Sequence, residues 1–181
     1  MEFIPIFAGP NPKLYAVVYD GEEKDAFWKL FDQWQDPEFL FGFFTEHERD
    51  LQSDFYNCSA LEAVRITKVE ATEFRDLIIE TKDNGQIEDT GKIYELFKLL
   101  TNSEYRLHNH RKHKAYGPEA DSWLRIYAIC VQDCFVITGG AIKLTKRMDE
   151  RQHTQIELEK LERVKNELKS QGIFDQEGLA E

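Results

Sequence analysis

Near residue 100 the spacing of apolar residues in this chain changes from three-and-four to two, and that change restricts the fold more than any other feature. Upstream, Phe27, Leu30, Phe31 and Trp34 follow i, i+3, i+4, i+7, the inward stripe of an amphipathic helix. Asp36-Pro37 offers a capping carboxylate and a proline at the first helical position, so a second helix is expected, with Leu40, Phe43, Phe44 and Leu51 apolar. Ser59-Ala60-Leu61-Glu62 has capping-box spacing and opens a third, carrying Leu61, Val64, Phe74, Leu77 and Ile78 and ending near Asp83-Asn84-Gly85. Residues 93–100 are apolar and fit either element type. Beyond them residues 105–116 read as a basic strand. Residues 123–131 and 134–138 read as two more strands about a turn at Gln132-Asp133, the second running past Gly139-Gly140 to Leu144. Thr154-Gln155-Ile156-Glu157 reads as another capping box, before a helix with Leu158, Leu161, Val164 and Leu168 inward and Gly172 at its end. At the start of the chain, residues 3–7 and 13–19 form a candidate hairpin about Gly9-Pro10-Asn11-Pro12, with Pro5 confining the first to an edge. Helices and strands are segregated, which predicts an α+β fold. Its sheet is small and antiparallel or mixed, its N-terminal helical region is enlarged, and a helix closes the chain.

A single domain is expected over 1–181: a strand and acidic helical region (1–91), a meander with its helix (92–172) and a short tail (173–181). Aromatics make up 13% of the residues, thirteen of them Phe, so rings should dominate the core. The net charge of −11 argues against a nucleic-acid partner until its distribution is considered. Residues 1–104 hold 10 Lys and Arg against 22 Asp and Glu, residues 105–151 hold 9 against 5, and residues 152–181 hold 4 against 7. The only positive segment is therefore the meander. Three cysteines without a CxxC pair, no basic leader and no long apolar run imply a reducing cytoplasm and no membrane.

The order strand, helices, three strands, helix resembles the RelE/HigB toxin superfamily of type II toxin–antitoxin systems. Leu96-Phe97-Lys98-Leu99-Leu100 resembles the short element before the meander of those toxins. Trp123-Leu124-Arg125-Ile126-Tyr127 is similar to their strand with a recurrent active-site arginine. Gly139-Gly140-Ala141-Ile142-Lys143-Leu144-Thr145-Lys146-Arg147 resembles the lysine-rich segment of HigB-like members, with Leu144 in place of its second lysine. The run from Asp20 to Gly91 is longer and more acidic than the family's helical hairpin. The resemblance implies a RelE-like fold, cleavage of messenger RNA without metal or other cofactor, either on the ribosome or free of it, and partnership with a cognate antitoxin and RNA. It also leaves a second reading, a non-catalytic interaction module on the same scaffold.

Such cleavage needs cations on a crowded dianionic phosphate and groups that move two protons. Arg125 is the first candidate, because guanidinium grips phosphate oxygens bidentately, and a carboxylate partner at a sheet edge is its plain alternative. Lys143 is the second, with Lys146 and Arg147 behind it as RNA contacts or a solvated charge run. Arg106, His108, His110, Arg111, Lys112 and Lys114 form a basic stretch in which alternation would put Arg106, His108, His110 and Lys112 on one strand face. His110 is the candidate acid or base there, and the others are candidate RNA contacts. A simple basic surface, or a metal held by His108, His110 and His113, is also open. Tyr116 and Tyr127 suit base stacking, proton donation or plain packing. The Phe-rich stretch from Phe27 to Phe55 suits a core or an apolar stripe for a partner helix.

Overall fold

Covering both faces of one sheet is the solution this chain adopts for its strands' near-continuous apolar runs. The computed structural model describes residues 1–7, 12–53, 55–81, 90–100 and 109–180. Its strands are β1 (Glu2–Pro5), β2 (Leu14–Val18), β3 (Lys98–Leu99), β4 (Arg111–Tyr116), β5 (Leu124–Val131) and β6 (Cys134–Ile142). Its helices are α1 (Ala26–Gln35), α2 (Pro37–Glu46), α3 (Glu48–Leu51), α4 (Ala60–Glu80), α5 (Thr90–Leu96), α6 (Gln152–Ser170) and α7 (Gln176–Ala180). The fold is α+β, with a mixed, open six-stranded sheet in the order β1-β2-β6-β5-β4-β3. Only β2 and β6 run parallel; the other neighbours are antiparallel. No helix among the described residues is long and apolar enough to cross a membrane.

Alternation along β5 divides the core. Leu124, Ile126, Ala128 and Cys130 pack with Phe27, Trp34, Phe44 and Phe74 of the helical layer. Tyr127, Ile129 and Val131 pack with Leu161, Val164 and Leu168 of α6 on the opposite face. Burial of that size is the main favourable contribution to folding. The Asp36 carboxylate accepts from the Glu38 and Phe39 N–H groups at the start of α2, and Ser59 and Glu62 form the reciprocal capping box of α4. Residues 93–100 resolve into the end of α5 followed by β3.

One expectation is corrected. No capping box forms at Thr154, because α6 begins earlier, at Gln152, and the Thr154 hydroxyl donates to the carbonyls of Met148 and Arg151. In the short tail Ile173 and Leu179 are buried, and α7 lies over β1. The end of the third helix near residues 83–85 and the turn at 9–11 lie outside the described residues.

Candidate functional site

The β4–β5 register sets Tyr116 opposite Arg125 and Lys114 opposite Tyr127, and the β5–β6 register sets Arg125 opposite Ala141. Because side chains alternate, Lys114, Tyr116, Arg125 and Tyr127 belong to the α6 face of the sheet. Beyond the N-terminal end of α6 that face opens into a cavity of about 1090 Å³. Its walls come from the sheet, from residues 143–151 and, on the far side, from Asp50, Ser53, Phe55 and Tyr56 of the helical region.

Arg125 is half-buried. Its Nη1 donates to the Ser122 and Leu124 carbonyls, both at 2.7 Å, and its guanidinium carbon stands 4.1 Å from the centre of the Tyr116 ring. Burial pushes its pKa down, while Tyr116, Tyr127, Tyr56 and Glu70 act in the other direction. Lys114 approaches the same ring, with its Nζ 5.3 Å from the centre. Lys143 donates from Nζ to the Thr145 carbonyl at 2.5 Å and the Lys146 carbonyl at 2.6 Å. Burial lowers the pKa of Lys143, and the charges of Arg125 and Lys114 lower it further, with Glu150 opposing. Two other cations of the cavity wall are neutralised. Arg147 pairs with Asp149, and Arg151 grips Asp50 through Nε (2.8 Å) and Nη2 (2.5 Å). Lys114, Arg125, Lys143 and Lys146 form no ion pair with a carboxylate among the described residues. The lining holds six cations, Lys114, Arg125, Lys143, Lys146, Arg147 and Arg151, against the three carboxylates of Asp50, Asp149 and Glu150, and that excess of positive charge favours an anion.

No family model matches this chain, and no match was found among curated proteins or solved structures. The site's own geometry sets the chemistry it can support.

One further group bears on that geometry. Tyr127 lines the cavity, is 1% exposed and has a hydroxyl with no hydrogen-bond partner among the described residues. Burial raises its pKa far above the ordinary phenol value, so the oxygen keeps its proton.

The structure gathers Arg125, Lys143, Lys114, Lys146 and Arg147 at this cavity, with Tyr116 and Tyr127, and places His110, Arg111, Lys112 and His113 elsewhere. His110 is the main correction. It adopts a left-handed φ of 55°, which interrupts the strand alternation, and it is buried with Nε2 donating to the Ile173 carbonyl at 2.7 Å. Its ring meets Phe174 edge-on and burial lowers its pKa, so it anchors the C-terminal segment and does not line the cavity. Arg111 lies opposite Cys130, on the helical face. Lys112 faces α6 and pairs with Glu162. His113 is buried against Phe135 on the helical side. Arg106 and His108 lie outside the described residues. Among the described residues no group of three or more His, Cys, Asp or Glu could hold a metal ion. Sequence reasoning missed the wall formed by Asp50, Phe55 and Tyr56, for which the local sequence carries no motif.

Proposed function

We propose that this protein is a RelE/HigB-like toxin that cleaves messenger RNA without a metal and is held in check by a cognate antitoxin. The observation that carries this reading is the convergence of Lys114, Arg125 and Lys143, none of them paired to a carboxylate among the described residues, in one cavity that Tyr127 also lines. The element order and the mixed sheet support a RelE-like scaffold.

In the reaction a ribose 2′-oxygen bonds to the adjacent phosphorus while the bond to the 5′-oxygen breaks, leaving a 2′,3′-cyclic phosphate and a 5′-hydroxyl. Arg125 and Lys114 offset the charge that builds on the equatorial oxygens, commonly the largest catalytic contribution. Lys143 is the base. A neutral amine has two N–H groups, and the Thr145 and Lys146 carbonyls accept both, so its lone pair is left for the 2′ proton. The depressed pKa raises the fraction of that neutral form, against the two carbonyl acceptors, which favour the ammonium. Tyr127 is the group placed to protonate the leaving oxygen. The messenger RNA, with or without the ribosome, is the partner at this cavity.

A second reading, a non-catalytic interaction module, draws on one observation. The hydrogen bonds from Arg125 and Lys143 go to carbonyls of their own chain, as in cations that brace loops. Expression of the protein alone separates the two. The toxin reading expects arrested growth and messenger RNA cut to 2′,3′-cyclic phosphate ends. It also expects Arg125→Ala to lower the cleavage rate by roughly 10²–10³-fold with unfolding unchanged. Normal growth with intact messenger RNA overturns it and leaves the module.

A further inference from the structure

Phe55 and Tyr56, which follow α3 of the enlarged helical region, carry chemistry that holding a phosphate does not use. Tyr56 packs edge-on against buried Trp123, with ring centres 5.2 Å apart, and this ties the segment to the core. Asn57 adopts a left-handed φ of 45°, its N–H donates to the Ser53 carbonyl at 3.1 Å, and the Cys58 N–H donates to the Leu51 carbonyl at 3.3 Å. The backbone thus closes the turn. Phe55 is left 71% exposed on the cavity wall, the most exposed large hydrophobic residue among those described. In the same cavity Tyr116 is 43% exposed, with the Arg125 guanidinium and the Lys114 ammonium drawn up to its ring. A single exposed ring is ordinary surface chemistry. Here two exposed rings share a cavity with Lys114, Arg125 and Lys143, which form no ion pair with a carboxylate among the described residues.

We propose that Phe55 and Tyr116 are nucleobase platforms, so that the ligand of this cavity is unpaired, single-stranded RNA. Bases flanking the phosphate held by Lys114 and Arg125 stack on the two rings. This rests on the nuclease reading of the same site. The reasons are chemical. Stacking on an aromatic face needs a base free of its partner strand, because a base inside a duplex already has both faces covered. Every base has such a face, so two rings beside a cationic patch suit a strand of varied sequence. A cavity of about 1090 Å³ also has room well beyond one phosphate.

The test uses a short, mixed-sequence, single-stranded 2′-O-methyl RNA, which cannot be cleaved by 2′-hydroxyl attack, with affinity followed by fluorescence anisotropy across a salt series. Phe55→Ala should weaken binding by about 5- to 100-fold, the range found when a base-stacking ring is removed. Its salt slope should match wild type, because no phosphate contact is lost, and Phe55→Trp should restore affinity. Arg125→Ala should lower the slope by about 0.7, the value of one phosphate contact on a single strand. The same strand annealed to its complement should bind more weakly than the free strand. If Phe55→Ala binds like wild type while Arg125→Ala shifts the slope, the platform inference is overturned and the nuclease reading stands. If wild type binds no free RNA, the platform inference is overturned, and the nuclease reading is decided by growth and messenger RNA integrity on expression of the protein alone.

Discussion

At Gly140 the sheet leaves no space for a side chain. A β-carbon there would stand 2.5 Å from the Arg125 carbonyl oxygen and 2.5 Å from a Leu30 methyl. The leucine can rotate, but the carbonyl belongs to the β5 backbone that carries Arg125, so relief must come from moving the residue at the centre of the cationic cluster. Gly140→Ala is therefore expected to cost about 1–3 kcal/mol, the usual range for overpacking. The check is a lower urea midpoint with an unchanged m-value. Gly139 beside it has a φ of 154°, and a β-carbon there would meet the Glu157 carboxylate at 2.3 Å. The sequence shows these two glycines only as a passage within a strand. Their role as the seat of Arg125 depends on Leu30 and Glu157, more than 100 and 15 residues away respectively, and no local pattern encodes such contacts.

Among elements, the parts of the fold governed by neighbouring residues were legible. Asp36 is the clearest case, since its N–H closes α1 onto the Gln33 carbonyl at 3.2 Å while its carboxylate caps α2. Asp36→Ala should lower stability by about 1 kcal/mol, the usual worth of an N-cap, measured by denaturant titration. Helix content should be nearly unchanged, because α2 also buries Leu40 and Phe44 in the core. The capping box at Ser59 was readable for the same reason. At Thr154 the same letters mislead. There the tertiary fold decides: Glu157 is drawn inward beneath Gly139 and pairs with Lys160, so it is not available to the helix start. His110 fails similarly. Alternation predicts its face correctly only while the backbone stays extended, and its left-handed φ and the Ile173 carbonyl are invisible in the residues around it.

Over the whole molecule, the cavity draws its walls from the 50–56 region, from β4 and β5, and from residues 143–151, segments that meet only after the sheet is covered on both faces. Arg125 and Lys143 were named together from the sequence and line one cavity; the aromatic wall was not legible, because Phe55 and Tyr56 reach that cavity from a helical region distant in sequence. The two-faced sheet also has a consequence for its cysteines. Cys130 belongs to the core under the helical layer and Cys134 to the core under α6, and both are fully buried. Burial raises both thiol pKa values, that of Cys134 to about 12, so almost no thiolate exists in the folded state. Cys58, only partly covered in its loop, is the exception in access although burial raises its pKa as well. Since the thiolate is the nucleophile, an aromatic disulfide reagent should modify Cys58 first. Cys130 and Cys134 should follow much later, at one shared rate equal to that of global unfolding. Mass spectrometry of quenched time points reads the three sites separately. A shared rate means that neither layer leaves the sheet alone. If Cys134 reacts ahead of Cys130, α6 detaches while the helical layer holds, and the cavity, which needs both layers in place, would then open far more often than the protein unfolds.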